Sequence, residues 1–298
     1  MDTTKKLPTV LSLCTGYGGI ERGLDLAGVE HRVIAHVEIE AFAIANLVAK
    51  MEAGKLDAAP VWSNLKTLPV EPFRDRVDLI TGGYPCQPFS AAGKRLGEED
   101  PRHLWPYIKK IIAYVKPARC FFENVEGHIS LGLREVISDL ESLGYKTAWG
   151  IFSAREVGAP HQRKRVYILA DSEGEHARDV GKNIWAPSGE INPFIDSGGF
   201  GRGHDRQENR KTLADPEDFG LQRPSEARDT FTKRTQPDDQ QPYGCDSTYI
   251  GSWPPEPGLG RVVDGCADRV DRIRLLGNGV VPKTAAKAWF VLSEDLCS

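Results

Sequence analysis

The residues best suited to chemistry stand in four short stretches. In GGYPCQPFS, residues 82–90, Cys86 follows a glycine pair and lies between Pro85 and Pro88. Each proline fixes its own φ and removes a backbone donor, and Pro85 biases Tyr84 away from helix. The thiol is therefore carried on a stiff, extended turn, presented rather than packed. A thiolate nucleophile needs an electrophile and an acid to receive the developing charge. FFENV supplies Glu123, whose carboxyl, set among Phe121, Phe122 and Val125, would have its pKa raised by desolvation and could donate a proton. A helix-capping Glu-Asn pair explains the same residues equally well. In HQRKRVYILA, Arg163 and Arg165 alternate on entering a strand, so they face one side and could hold that carboxylate or bind phosphates. On an edge, the same pair would simply be solvated.

The fourth stretch, CTGYGGIERGL, follows the apolar run TVLSL. Glycines at a strand-to-helix turn permit positive φ and let main-chain N–H groups approach a ligand. The spacing G-x-G-x-x-G is not met, and a turn chosen for tight strand–helix packing stands level with a binding turn. Glu38, about 20 residues on at the end of the run VIAHVE, is placed to accept hydrogen bonds from a ribose diol. Together the turn and the acid point to an adenosine-containing ligand. No P-loop lysine accompanies them, so a nucleoside without a triphosphate fits better than ATP.

The elements that must position these residues alternate along the first 170 positions. TVLSLC, HRVIAHVE, VDLITGG, ARCFFENV and RVYILA each predict a buried strand. IERGLDLAGV, EIEAFAIANLVAKMEAG, RHLWPYIKKIIAYVK and LREVISDLESLG carry apolar residues at helical spacing. Such alternation predicts an α/β fold, a doubly wound, mostly parallel sheet covered on both faces, with the reactive stretches at the carboxyl ends of its strands. After Asp171 the composition turns to Gly, Pro, Asp, Arg and Gln without periodicity, predicting a small irregular lobe. The helical stripe in VVPKTAAKAWFVL then returns the chain to the core. The expected division is a catalytic domain of residues 1–172 and 256–298 around a variable region, 173–255.

The chain has 298 residues, 40% hydrophobic and 27% charged, enough for one sizeable core. Six cysteines show no Cys-x-x-Cys pair and no Cys/His ligand spacing, which argues for free thiols in a reducing compartment and against a metal site. Cys14, Cys120 and Cys266 read as inert thiols. No run approaches the roughly 20 apolar residues of a membrane span. With a formal charge of -4, a nucleic-acid partner would have to be met by a local basic surface.

In this order, the motifs resemble those of the cytosine-5 DNA methyltransferases. The glycine turn Gly16, Gly18 and Gly19, the acid Glu38, Pro85-Cys86-Gln87, Glu123-Asn124-Val125, Gln162-Arg163-x-Arg165 and Gly277-Asn278-Gly279 carry the likeness, over roughly the first 170 residues and the last 30. The resemblance implies a Rossmann-like class I fold that binds S-adenosylmethionine, releases S-adenosylhomocysteine and carries a target-recognition lobe. It implies that Cys86 adds to carbon 6 of a cytosine flipped out of double-stranded DNA, that Glu123 serves ring nitrogen 3, and that Arg163 and Arg165 position Glu123 and the base. Cys14, Thr15, Gly16, Tyr17, Gly18, Gly19, Glu38, Ile39, Asn64, Leu65, Pro85, Leu104 and Asn278 would line the cofactor. Gln87, Ser90, Lys94 and Arg95, with Gly93, would belong to a loop closing over the DNA.

Three departures from the family pattern stand out. Ser12-Leu13-Cys14 replaces Asp-Leu-Phe, Asn64 replaces an acid near the adenine, and the closing motif reads GNG where GNS is commoner. All three bear on cofactor affinity and leave the bond-making groups in place. A tRNA-modifying relative is the alternative, but its Cys-Phe-Thr tripeptide is absent; a catalytically silent DNA-binding homologue would have lost the nucleophile or the acid. The resemblance also implies a cytoplasmic monomer of a bacterial or phage-infected cell, accompanied by a cognate restriction endonuclease where one is encoded nearby.

Overall fold

The computed structural model describes residues 7–85, 104–172, 185 and 279–297. Cys86, Gln87, Ser90, Gly93, Lys94, Arg95, Gly277, Asn278 and, apart from Trp185, the expected recognition region 173–255 lie outside the described residues. The chain divides into two units, Met1–Asn209 with Val263–Ser298, and Arg210–Val262; every described residue belongs to the first.

The elements, in chain order, are β1 (Thr9–Leu13), α1 (Gly19–Leu26), β2 (Arg32–Val37), α2 (Ala41–Glu52), β3 (Val61–Trp62), β4 (Leu79–Gly82), α3 (Trp105–Val115), β5 (Arg119–Val125), α4 (His128–Leu131), α5 (Leu133–Ser142), β6 (Lys146–Phe152), β7 (Arg165–Asp171) and α6 (Pro282–Cys297). The strands form one sheet of order β3-β2-β1-β4-β5-β7-β6. It is parallel from β3 to β5, and β7 runs antiparallel to both its neighbours.

The mostly parallel, doubly wound sheet matches the expectation, and the differences lie at its edges. KTAWGIF was not expected as a strand: Lys146 is exposed, five of its seven residues are half-buried, and Gly150 interrupts the apolar pattern. Pairing along the whole of β7 makes it one. RVYILA consequently enters from a short connection rather than from a crossover helix, and a short connection reverses strand direction.

Side chains alternate between two cores, as the strand period of two requires. Leu11, Leu13, Ile80, Phe122 and Ile168 pack beneath α3 and α5 against Trp105, Ile108, Ile112, Val136 and Leu140. Val10, Leu79, Phe121, Tyr167 and Leu169 pack with Ile20 and Leu24 of α1 and Trp289 and Leu292 of α6. Fully burying one such side chain stabilises the fold by about 1.5–3 kcal/mol. Ser12 pairs in register with His36 on one side and Thr81 on the other, placing a buried polar row across β2, β1 and β4.

The last helix docks unusually closely on α1. A Cβ at Gly23 would stand 2.6 Å from Ala285 Cβ, and one at Gly19 would stand 2.7 Å from the Val280 carbonyl oxygen. The glycines divide by position: Gly16 and Gly18 take positive φ in the turn, while Gly19 and Gly23 are contact positions against residues 280–286. This packing brings residues 279–281 to the mouth of the turn after β1. Among the described residues no helix is long and apolar enough to cross a membrane.

Candidate functional site

The turn after β1 alternates left-handed residues, Cys14 (φ 50°), Gly16 (φ 59°) and Gly18 (φ 81°). It is stapled to the end of β2 by two bonds: Thr15 N–H donates to the Val37 carbonyl at 3.1 Å, and Gly16 N–H to Glu38 Oε2 at 2.7 Å. Ser12 and Thr15 close it from within, their hydroxyls 2.9 Å apart. The Cys14 thiol is pushed up to about 12, by burial and then by the Glu38 charge, and so is inert at neutral pH.

Glu38 does more than its spacing suggested. Its Oε1 accepts from Glu40 N–H at 2.8 Å, so the carboxylate ties the glycine turn to the start of α2 and keeps lone pairs beyond these two bonds. Beside it, Ile39 is 70% exposed, an apolar side chain at the rim with little packed on it. Asn64 caps a one-turn 3-10 helix, its Oδ1 accepting from Lys66 N–H at 3.0 Å. Leu65 is buried in the core, and Leu104 stands partly buried at the start of α3.

The approach to Cys86 is anchored by a residue whose role the sequence reading missed. Asn124 lies inside β5, buried, and caps no helix; its side-chain amide donates to the Tyr84 carbonyl at 3.1 Å, and its Oδ1 accepts from Val125 N–H at 2.9 Å. Tyr84 packs among Trp105, Phe122 and His128, and its hydroxyl meets His128 Nε2 at 3.0 Å. Burial lowers the His128 pKa to about 4, which keeps the ring neutral. The segment entering Pro85 is thus held by the same strand that carries Glu123.

Glu123 is 6% exposed, on the α1/α6 face of β5, opposite Tyr167 of β7. Burial raises its pKa to about 7, against the opposing pull of Arg165 and Arg163. Arg165 Nε approaches Glu123 Oε1 to 2.9 Å, yet this buried oxygen receives no aligned hydrogen bond among the described residues. Gly83 passes close by: a Cβ there would come within 3.3 Å of Glu123 Oε2. Arg163 and Arg165 both act on Glu123, but not through strand alternation. β7 begins only at Arg165, and Arg163 precedes it with φ 34°, its guanidinium donating to the Gly279 carbonyl.

Tyr17 explains the departure at Gly279. Its hydroxyl donates to the Val280 carbonyl, Lys50 Nζ donates to the Tyr17 carbonyl at 2.6 Å, and the Tyr17 ring lies against Gly279, where any Cβ would overlap it. The aromatic residue in the glycine turn and the missing side chain in the closing motif are complementary halves of one contact. Gly279→Ser is therefore expected to destabilise the protein by about 1–3 kcal/mol, and Tyr17→Ala to remove most of that penalty in the double variant. Thermal unfolding of the four proteins of the cycle checks it; additive effects would show that the two residues are not coupled.

The C-5 cytosine-specific DNA methylase family matches residues 8–221. Among curated relatives, the Type II methyltransferase M.NaeI of Lentzea aerocolonigenes is 34% identical over 166 residues, covering 54% of this chain and 39% of that protein. M.NgoMIV of Neisseria gonorrhoeae is 32% identical over 166 residues, covering 54% and 51%. The chain spans about half, or less, of the length of these curated relatives. Among solved structures, Dnmt2 of S. pombe is similar at 29% identity and a TM-score of 0.47, covering 56% of this chain and 51% of that one.

Proposed function

This chain belongs to the C-5 cytosine-specific DNA methylase family, and from that premise we propose that it transfers a methyl group from S-adenosylmethionine to carbon 5 of a cytosine flipped out of double-stranded DNA, within a short recognition sequence. The observation that carries the reading is Glu123, a carboxyl that burial raises to about 7 and that pairs with Arg165 of β7, carried on β5, whose Asn124 also anchors the approach to Cys86.

The residues present suit the cofactor. The glycine turn, Glu38 and the exposed Ile39 offer main-chain donors, a ribose acceptor and an apolar rim, and a small cleft lies beneath the turn, lined by Ser12, Cys14, Glu21, Gly83 and Val280. S-adenosylmethionine would supply an electrophilic methyl carbon there. The Cys86 thiolate would add to carbon 6 while protonated Glu123 gives its proton, or a hydrogen bond, to ring nitrogen 3. Arg165 and Arg163 would keep the carboxyl in place. Carbon 5, made nucleophilic, would take the methyl group; loss of the carbon 5 proton and departure of the thiolate would restore both ring and cysteine. The region 173–255 would read the DNA, and the chain would act as a cytoplasmic monomer, with a cognate restriction endonuclease where one is encoded nearby.

The test is incorporation of labelled methyl groups from S-adenosylmethionine into unmethylated plasmid DNA and, in parallel, into a tRNA pool. Label in DNA is the expected result; label confined to RNA, or absent from both, overturns the proposal.

A further inference from the structure

Glu21 is an acid in an uncommon position. It lies in the first turn of α1, where an acid ordinarily reaches solvent, yet it is 2% exposed and turned onto the sheet. Thr81 donates to its Oε1 at 2.7 Å. Oε2 is equally buried and has no hydrogen-bond partner among the described residues. Leaving a buried acceptor unsatisfied costs about 1–3 kcal/mol and calls for an explanation.

The nearby basic groups do not supply one. Lys50 is engaged by the Tyr17 carbonyl and lies over the Tyr17 ring. His36, wholly buried across the polar row, has its pKa lowered by desolvation, against the pull of Glu21 and Asp57, which favours the uncharged ring. Instead, Glu21 borders the cleft under the glycine turn, together with Ser12, Gly83 and Val280. An orphaned acceptor in a cleft wall matches a ligand that brings a cation with hydrogen atoms to donate.

The direction of the crevice names that cation. Glu38 stands at the β2 end, where an adenosine would sit, and Glu123 at the β5 end, where the base would sit. A cofactor lying between them would pass its amino-acid portion over β1 and β4, where Thr81 holds Glu21. Of the charged groups there, a carboxylate would be repelled and a sulfonium has no hydrogen to give. We propose that Glu21 is the receptor for the α-ammonium group of the bound S-adenosylmethionine, with Thr81 as its positioning residue; this rests on the cofactor reading above.

Calorimetry compares S-adenosylhomocysteine with its analogue bearing hydrogen in place of the α-amino group, on wild type and on Glu21→Gln. The wild type should prefer S-adenosylhomocysteine, and Glu21→Gln should bind it roughly 10- to 100-fold more weakly while binding the analogue within about twofold of wild type. Equal losses for both ligands would reduce Glu21 to a structural residue and overturn the assignment, as would unchanged binding of S-adenosylhomocysteine. A wild type that binds neither ligand overturns the cofactor reading itself. Should Glu21→Gln fail to fold, Glu21→Asp, which keeps the charge but withdraws the oxygen, is held to the same comparison.

Discussion

Glu123→Gln is expected to slow single-turnover methyl transfer by roughly 10²- to 10⁴-fold, the usual worth of a positioned general acid, while binding of S-adenosylhomocysteine stays within about twofold of wild type. Glutamine fills the same space on β5 and can still offer an N–H, but it has no proton to give, and its neutral amide breaks the charge pairing with Arg165. The pH profile separates this account from a structural one. Because burial raises the carboxyl to about 7, the acid form is present below that pH and is lost as pH rises through it. The wild-type rate should therefore fall on the alkaline side of about 7, and that limb should be missing from the residual activity of Glu123→Gln. An unchanged rate in the variant would mean that another group supplies the proton.

Cys86→Ala should abolish turnover outright and leave DNA affinity within a few fold. The sharper readout is covalent: with DNA carrying 5-fluorocytosine at the target, the wild type should stop at the methylated adduct, since fluorine cannot leave carbon 5 as a proton does. That adduct should survive denaturing electrophoresis in the wild type and be absent from Cys86→Ala. The other thiols described in the interior cannot readily substitute. Cys14 and Cys120 are both held in the neutral form by burial. An adduct formed by Cys86→Ala would require a nucleophile elsewhere in the chain.

What could be read from the sequence was whatever is carried by short range. The buried strands around Leu11, Ile80 and Phe121 show as compact apolar runs, and the helices around Ile112 and Val136 as apolar stripes. β6 does not, because Gly150 and its half-buried neighbours acquire a strand conformation only by pairing with β7. The candidate site divides in the same way. The types and order of Glu38, Glu123, Arg163 and Arg165 were legible, since each sits at the end of a recognisable run. Their partners were not: Asn124 reaches back 40 residues to the Tyr84 carbonyl, Arg163 meets Gly279 across 116 residues, and Tyr17 meets Val280 across 263. The glycines at 19 and 23 were legible as glycines, but their purpose appears only once α6 lies against them. Glu21, inside the helical stretch IERGLDLAGV, acquires meaning only from a threonine 60 residues away.

The most direct test of the central claim is bisulfite sequencing of unmethylated plasmid DNA after incubation with the protein and S-adenosylmethionine. Protection of cytosines in one short sequence context, absent without cofactor and absent with Cys86→Ala, is the result this account predicts. Full conversion of every cytosine, by a protein shown in the same preparation to bind S-adenosylhomocysteine, would contradict it.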